Sequence, residues 1–417
     1  MNTLVFERNV ARFAAARLVS SFGSGRGAGV SPLRLADMDA PDLPGDGWHR
    51  VQPLLSGICG SDLATLDGRS SRYFEALVSF PFVPGHEIVG RLQTDAVSAT
   101  GEALPAERRV VIEPVLSCRA RRIAPLCPAC SAGLTGDCEQ VAFGHIRPGL
   151  QTGFCADTGG GWSAAGLVAH ESQLYAVPDK LTDKDAVTVE PVACALHAAL
   201  SAGLRETDVV AVIGAGTLGL LTIAAISHLG TTGRAATPEA LLVGARYAHQ
   251  RTWASELGAT LALESTQLAR AVRRRRHTMA IGGDRVDRLS GGADVVFDCV
   301  GSADSIEQAL SMVRARGRVV LVGMPGAIRV DLAPLWHREV TLLGAYAYGT
   351  EQVAGAGVRT FDLALELAGA LHTGRLVSAT YPLDRFEEAV AHAGAAGRRG
   401  AVKVAFDVTQ STKGRSR

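Results

Sequence analysis

Apolar and polar positions change rhythm once along the chain. Residues 1–180 read as short apolar runs cut by Gly, Pro and Asp turns, a pattern of strands and loops. Leu4, Val5 and Phe6 form the first expected strand. Asp183 to Gly203 has helical spacing. From Asp208 onward, strand-length runs alternate with helical stretches. The expected strands are Val209–Ile213, Leu241–Val243, Leu261–Leu263, Val295–Val300, Val319–Val322 and Val340–Leu343. That alternation predicts an α/β fold with a doubly wound parallel sheet. After about Tyr346 the pattern is helical again, followed by a strand-like Ala401–Val408. The polar tail Thr409–Arg417 is expected to fray.

Composition narrows the function classes. The 417 residues are 47% hydrophobic and 20% charged, which fits two or three folded domains and excludes global disorder. The formal net charge of +1 gives no reason to expect nucleic acid or an anionic membrane as a partner. Arg273–Arg276 reads as a solvated face. Val209–Gly230 carries no Asp, Glu, Lys or Arg over 22 residues, long enough to span a bilayer, but a buried strand followed by a buried helix gives the same hydropathy. Arg8, Arg12 and Arg17 break any secretory apolar run within Met1–Val30, whose composition leaves a mitochondrial presequence open. Eight cysteines are too few for a disulfide scaffold of this length. Their clustering points to metal chemistry in a reducing compartment, and the cytoplasm is the expected location.

The segment Gly214-Ala215-Gly216-Thr217-Leu218-Gly219 follows one expected strand and opens a helix from Leu218 to Leu229. The first glycine of G-x-G-x-x-G permits the tight turn. The second lets backbone approach a pyrophosphate, and the third permits close helix–strand packing. The helix N-terminus offers free N–H groups and the positive end of its dipole to that pyrophosphate. The next strand ends Leu242-Val243-Gly244-Ala245-Arg246, without the carboxylate that would bind a ribose 2′-hydroxyl. A 2′-phosphate suits Arg246, with Arg251 nearby, so NADP is favoured and NAD remains open. A surface Arg246 stacked on adenine would serve either cofactor.

Two fragments point to a metal. Cys59 lies in Gly57-Ile58-Cys59-Gly60-Ser61-Asp62, and His86 in Gly85-His86-Glu87-Ile88-Val89-Gly90. Thiolate, imidazole and carboxylate with one open position suit a catalytic zinc. Together with Cys118–Cys138, the Val189–Val192 segment VEPV and the glycine turn, these motifs resemble the zinc-dependent medium-chain alcohol/polyol dehydrogenases over nearly the whole chain. The resemblance implies a GroES-like β-rich catalytic domain, residues 1–196 completed by 344–417. A Rossmann domain would occupy 197–343. It further implies hydride exchange between a secondary alcohol, or its ketone, and the nicotinamide cofactor, in a homodimer or homotetramer. A zinc-free quinone or enoyl reductase of the same superfamily, or a non-catalytic dinucleotide-binding protein, is the alternative.

By the same resemblance, Cys59 and His86 are catalytic-zinc ligands, and Glu87 is the carboxylate that binds the zinc directly or exchanges on and off it. Glu190 falls where simple alcohol dehydrogenases have a third cysteine ligand; glutamate there resembles the sorbitol and glucose dehydrogenase branches, which implies that Glu190 binds the catalytic zinc directly or through its water. The implied substrate is therefore a polyol, sugar, cyclitol or amino alcohol. Ser61 would take the substrate proton, and Asp62 would orient His86. Ala64 stands where many relatives carry a relay histidine. Cys194 would line the nicotinamide pocket. Cys118, Cys127, Cys130 and Cys138 keep the spacing of a structural zinc lobe except between the first two, where Arg119–Ala124 reads as an insertion of six residues. Added loop length costs little closure entropy, so four thiolates can still close a tetrahedral site. Cys155 has no partner pattern, and Cys299 reads as core on a buried strand.

Overall fold

The computed structural model describes residues 1–282 and 288–410. Most of the tail expected to fray, 411–417, lies outside them. The chain divides into two compact units, Met1–Glu190 with Ala364–Arg417, and Pro191–Leu363.

The first unit is organised on a seven-stranded sheet. The strands run in the order Val377–Tyr381, Lys403–Asp407, Trp48–Gly57, Ile88–Leu92, Arg109–Ile112, Leu174–Ala176, and Leu167–His170 pairs beside Trp48–Gly57. Trp48–Gly57 is the hub. Its C-terminal half pairs antiparallel with both Lys403–Asp407 and Ile88–Leu92, through Ser56 opposite Phe406 and Ile88. Apolar residues on one face bury Val51, Ile88, Leu92, Val110, Ile112 and Leu174, the core that fixes this register. The first strand, Asn2–Phe6, pairs with Leu33–Asp37.

Two parts of this unit depart from the expected pattern. Residues 1–180 contain an 11-residue helix, Val10–Ser20, and a shorter one, Gly60–Leu66. The first was hidden because its alanine-rich sequence buries only Ala16 and Ser20, too little for a clear apolar stripe. Asn9 caps it by accepting from the Arg12 N–H. The segment after this helix grips Asp67, which is wholly buried: Asp67 accepts from Gly25 N and from Ser24 Oγ at 2.9 Å. Arg69 joins the same carboxylate at 2.7 Å.

The second unit holds a six-stranded parallel sheet in the order Leu261–Leu263, Ala240–Gly244, Val209–Ile213, Ala293–Asp298, Val313–Leu321, Thr341–Gly344. All six expected strands are present, Val209–Ile213 and Leu261–Leu263 with the expected ends and the other four with ends shifted. The sequence order 3-2-1-4-5-6 is the Rossmann order, with its switch point between Val209–Ile213 and Ala293–Asp298. The uncharged run Val209–Gly230 is the strand Val209–Ile213 followed by the helix Thr217–Thr231. Among the described residues no helix is long and apolar enough to cross a membrane. The chain after Tyr346 first forms a hairpin, Thr350–Val353 with Ala356–Arg359, and only then the expected helix, Thr360–Leu371. The strand Ala293–Asp298 stops before Cys299, so that cysteine is half-buried beside Thr222 rather than on a strand in the core. Arg273–Arg275 end the helix Leu268–Arg275, largely on its solvated side.

Candidate active site and metal centres

The strand Trp48–Gly57 delivers Cys59 to the N-cap of the helix Gly60–Leu66. Asp62, at the third helical position, accepts from the Cys59 N–H at 2.9 Å. This capping arrangement fixes the thiol against the helix that carries Ser61. His86 and Glu87 arrive just before the neighbouring strand, Ile88–Leu92. One ligand atom from each of Cys59, His86 and Glu87 lies within 4.8 Å of the others. His86 and Glu87 are almost fully buried, while Cys59 is partly exposed. His86 Nδ1 sits 3.6 Å from Asp62 Oδ1 and lacks a hydrogen-bond partner, as does the buried Ser61 hydroxyl. Buried polar atoms left this way are uncommon and suit a site built to receive a ligand. Thiolate, imidazole and carboxylate together fit zinc.

Burial works against a charged His86. The Asp62 carboxylate and the Cys59 thiol beside it outweigh burial and hold its pKa well above the usual imidazole range. Glu190 is buried in the first turn of the helix Val189–Ser201 and is not a member of the three-residue group.

One functional neighbour escaped the sequence reading. Lys403, buried on the strand Lys403–Asp407, forms an ion pair with Glu87 and donates to the Ile58 carbonyl at 3.2 Å. Burial disfavours its ammonium, but Glu87, Cys59 and Glu190 together raise its pKa above the ordinary lysine value. A signal was present in the sequence: one lysine inside the apolar run Ala401–Val408.

The four cysteines Cys118, Cys127, Cys130 and Cys138 also gather, with their Sγ atoms within 4.8 Å of one another. Backbone N–H groups of Cys127, Cys130 and Gln140 point at the sulfurs of Cys118, Cys127 and Cys138, at 3.5, 3.5 and 3.4 Å. Burial pushes the thiols of Cys138 and Cys130 up, Cys138 to about 11. Burial also raises Cys127, but the Cys130 and Glu139 N–H groups outweigh it and bring Cys127 down to about 7. All eight cysteines are free thiols, and four gathered within 4.8 Å of one another fit a structural zinc.

In the second unit, Gly214 turns the chain with φ +87° at the end of the strand Val209–Ile213. A Cβ at Gly219 would lie 2.0 Å from the Gly214 carbonyl oxygen, so that position admits only glycine. A Cβ at Gly216 would meet open space, the side from which a phosphate can approach. Gly216 caps the helix Thr217–Thr231 without a side-chain hydrogen bond. Leu218 follows in its first turn. These features fit a dinucleotide pyrophosphate. At the neighbouring strand end Arg246 is exposed, while Arg251 donates to the Ala245 and Arg246 carbonyls. Cys194 lies on the helix Val189–Ser201, its sulfur 4.0 Å from the Tyr346 carbonyl oxygen.

Comparison with known proteins agrees with this picture. The family model described as alcohol dehydrogenase GroES-like domain matches residues 45–179, and that described as zinc-binding dehydrogenase matches 241–362. The chain is 28% identical to L-idonate 5-dehydrogenase of Vitis vinifera, over 91% of this chain and 93% of that protein. It is 25% identical to sorbitol dehydrogenase of Bacillus subtilis, over 87% and 90%. Among solved structures, alcohol dehydrogenase TADH from Thermus sp. ATN1 superposes with a TM-score of 0.68 at 25% identity, covering 98% of this chain and all of that one. A Sinorhizobium meliloti protein assigned as a zinc-binding dehydrogenase and bound to NADP superposes with a TM-score of 0.64 at 25% identity, over 90% and 95%. With both halves of the architecture matched in order, the chain belongs to the zinc-dependent medium-chain alcohol/polyol dehydrogenase family.

Proposed function

We propose that the protein oxidises a secondary alcohol of the polyol or sugar class, or reduces the matching ketone, with NADP(H) as the favoured cofactor. The observation that carries this reading is the convergence of Cys59, His86 and Glu87 beside a buried hydroxyl, Ser61, that has no partner. Cys59 and His86 would hold the zinc, with Glu87 or Glu190 completing its shell. Cys118, Cys127, Cys130 and Cys138 would hold a second, structural one. A bound zinc would supply Lewis acidity that lowers a substrate hydroxyl's pKa by several units, and a bound nicotinamide would supply the hydride chemistry.

The chain's own residues do the rest. Ser61 accepts the substrate proton. Asp62, its Oδ1 3.6 Å from His86 Nδ1, faces the imidazole with its negative charge and would favour the ring orientation that serves the metal. Lys403 anchors Glu87 and balances its charge. Gly214, Gly216 and Gly219 would hold the pyrophosphate of a bound dinucleotide against the first turn at Thr217 and Leu218, and Arg246 would supply a positive charge for a 2′-phosphate. Eight free thiols suit a cytoplasmic location. The outer strand Thr341–Gly344, with Leu342 exposed, supplies a sheet edge for a dimer or tetramer.

The test is zinc content and turnover of Cys59→Ser. The parent is expected to carry two zinc ions per chain and to oxidise polyols with NADP. Cys59→Ser should carry one, bind NADPH as the parent does, and lose at least about a thousandfold in turnover, the scale of removing a principal electrostatic group. Retained turnover would refute the zinc mechanism. A zinc-free parent that binds NADPH would point to the reductase of the same superfamily.

A further inference from the structure

Arg121 lies within the six-residue insertion of the cysteine lobe and is 0% exposed. Its guanidinium is spent on backbone alone. Nε donates to the Leu116 carbonyl at 3.0 Å, and Nη2 to Gly149 at 2.7 Å. Nη1 donates to Phe143 at 2.8 Å and to Ile146 and Arg147, both at 3.3 Å. Four of these five carbonyls belong to 143–149, the segment after the last lobe cysteine. The backbone is equally committed: Arg121 N donates to Ser117 O at 3.1 Å, and a Cβ on Gly144 would lie 2.6 Å from Arg121 O.

Carbonyl dipoles can satisfy a guanidinium's donors, but they do not cancel its charge. Among the described residues Arg121 makes no ion pair. Asp157, which acts on it electrostatically, is itself bonded to Arg147 at 2.7 Å. A buried charge without a counter-charge is costly. Four thiolates around a divalent ion leave two negative charges, also buried. Cys155, Cys138 and Cys118 act electrostatically on Arg121, in that order, but burial pushes the Cys155 thiol up and keeps it neutral, which leaves the lobe sulfurs as the charged partners once metal is bound. Each charge therefore has in the other the partner it otherwise lacks.

We infer that the insertion supplies Arg121 as the internal counter-cation of the four-cysteine lobe, so that it stabilises the metal-loaded lobe more than the empty one. The inference rests on the reading of this lobe as a metal site. Arg121 is a positioning residue: its donors are spent on carbonyls, and it acts on the lobe through its buried charge.

The experiment uses Cys59→Ser protein, in which the remaining zinc reports the lobe. Arg121→Met and Arg121→Lys are compared by zinc release to a chromogenic chelator and by thermal unfolding, loaded and stripped. Arg121→Met should release zinc about tenfold faster or more, the scale of one weakly screened charge pair. Its loss of Tm should be larger in the loaded protein than in the stripped one. Arg121→Lys, which keeps the charge and loses the fork, should stay within about threefold of the parent release rate. Equal Tm losses in both forms would overturn the inference, because a hydrogen-bonding strut costs the same with or without metal. If Arg121→Met does not fold, Arg121→Lys decides: slow release supports the inference and fast release overturns it. Failure of both to fold also overturns it, since a strut alone accounts for that. A parent lobe without zinc overturns it too, while leaving the dehydrogenase reading to the turnover assay.

Discussion

Replacing Lys403 by Met tests the buried pairing beneath the candidate active site. The substitution keeps the volume and removes the ammonium. Glu87, whose side chain is 1% exposed, would then be a carboxylate in the interior without its cation. Removing one partner of a buried pair costs about 3–5 kcal/mol, far more than the pair's net contribution, because the remaining charge is stranded. The lost bond to Ile58 O adds about 1 kcal/mol. At a few degrees per kcal/mol for a unit of this size, the zinc-stripped protein should melt on the order of 10 °C lower. Thermal unfolding of the parent, Lys403→Met, Glu87→Gln and the double variant closes a cycle. The double variant should recover most of the loss, with a coupling of at least about 2 kcal/mol. A Lys403→Met protein within about 1 kcal/mol of the parent, or an additive cycle, would refute the argument that the pair is desolvated and mutually dependent.

Three further outcomes are expected. Gly216→Ala should leave Tm within a few degrees, since its methyl meets open space, yet weaken NADPH binding about tenfold or more when followed by fluorescence; unchanged binding would move the phosphate elsewhere. Arg246→Asp should shift preference from NADP toward NAD, as the 2′-phosphate would meet a like charge; an unaltered ratio of kcat/KM values would exclude Arg246 as the phosphate reader. His170 concerns acid stability. Burial, with Arg122, His145 and His49 nearby, outweighs Glu171 and lowers its pKa to about 4, and its Nδ1 accepts from the Ser172 N–H at 3.1 Å. A folded pKa below the unfolded value of about 6.5 gives stability that is complete above pH 6.5 and is lost as pH falls toward 4. After allowance for partial exposure that amounts to about 1–2 kcal/mol. His170→Asn should flatten this part of the stability curve in urea titrations, and an identical slope would contradict it.

The sequence made the nucleotide-binding half legible because its signals are local. A turn of three glycines and uncharged strand runs need no distant partner to be recognised. Cys59, His86 and Glu87 were legible as chemistry, and the strand pairing of Ser56 with Ile88 explains why they meet. Lys403 was not, because its role exists only once Lys403–Asp407 pairs with Trp48–Gly57, a contact no local pattern encodes. Arg121 was read only as part of an insertion. Arginine is ordinarily exposed, and its burial depends on five carbonyls, four of which lie more than 20 residues away. The helix Val10–Ser20 was missed because its stability comes from packing at Ala16, Ser20 and Asp67 rather than from its own periodicity.

The bond from Lys403 to Ile58 joins positions 345 residues apart. A ribosome must therefore complete the whole nucleotide-binding unit before the strand that carries Lys403 can slot beside Trp48–Gly57. A chain broken off between Glu87 and Lys403 would display Cys59, His86 and Glu87 with an unbalanced carboxylate among them and an open sheet edge. Such a fragment is poorly suited to folding and well suited to proteolysis. The metal-ligand cluster thus acquires its counter-charge only in chains made through to that last strand.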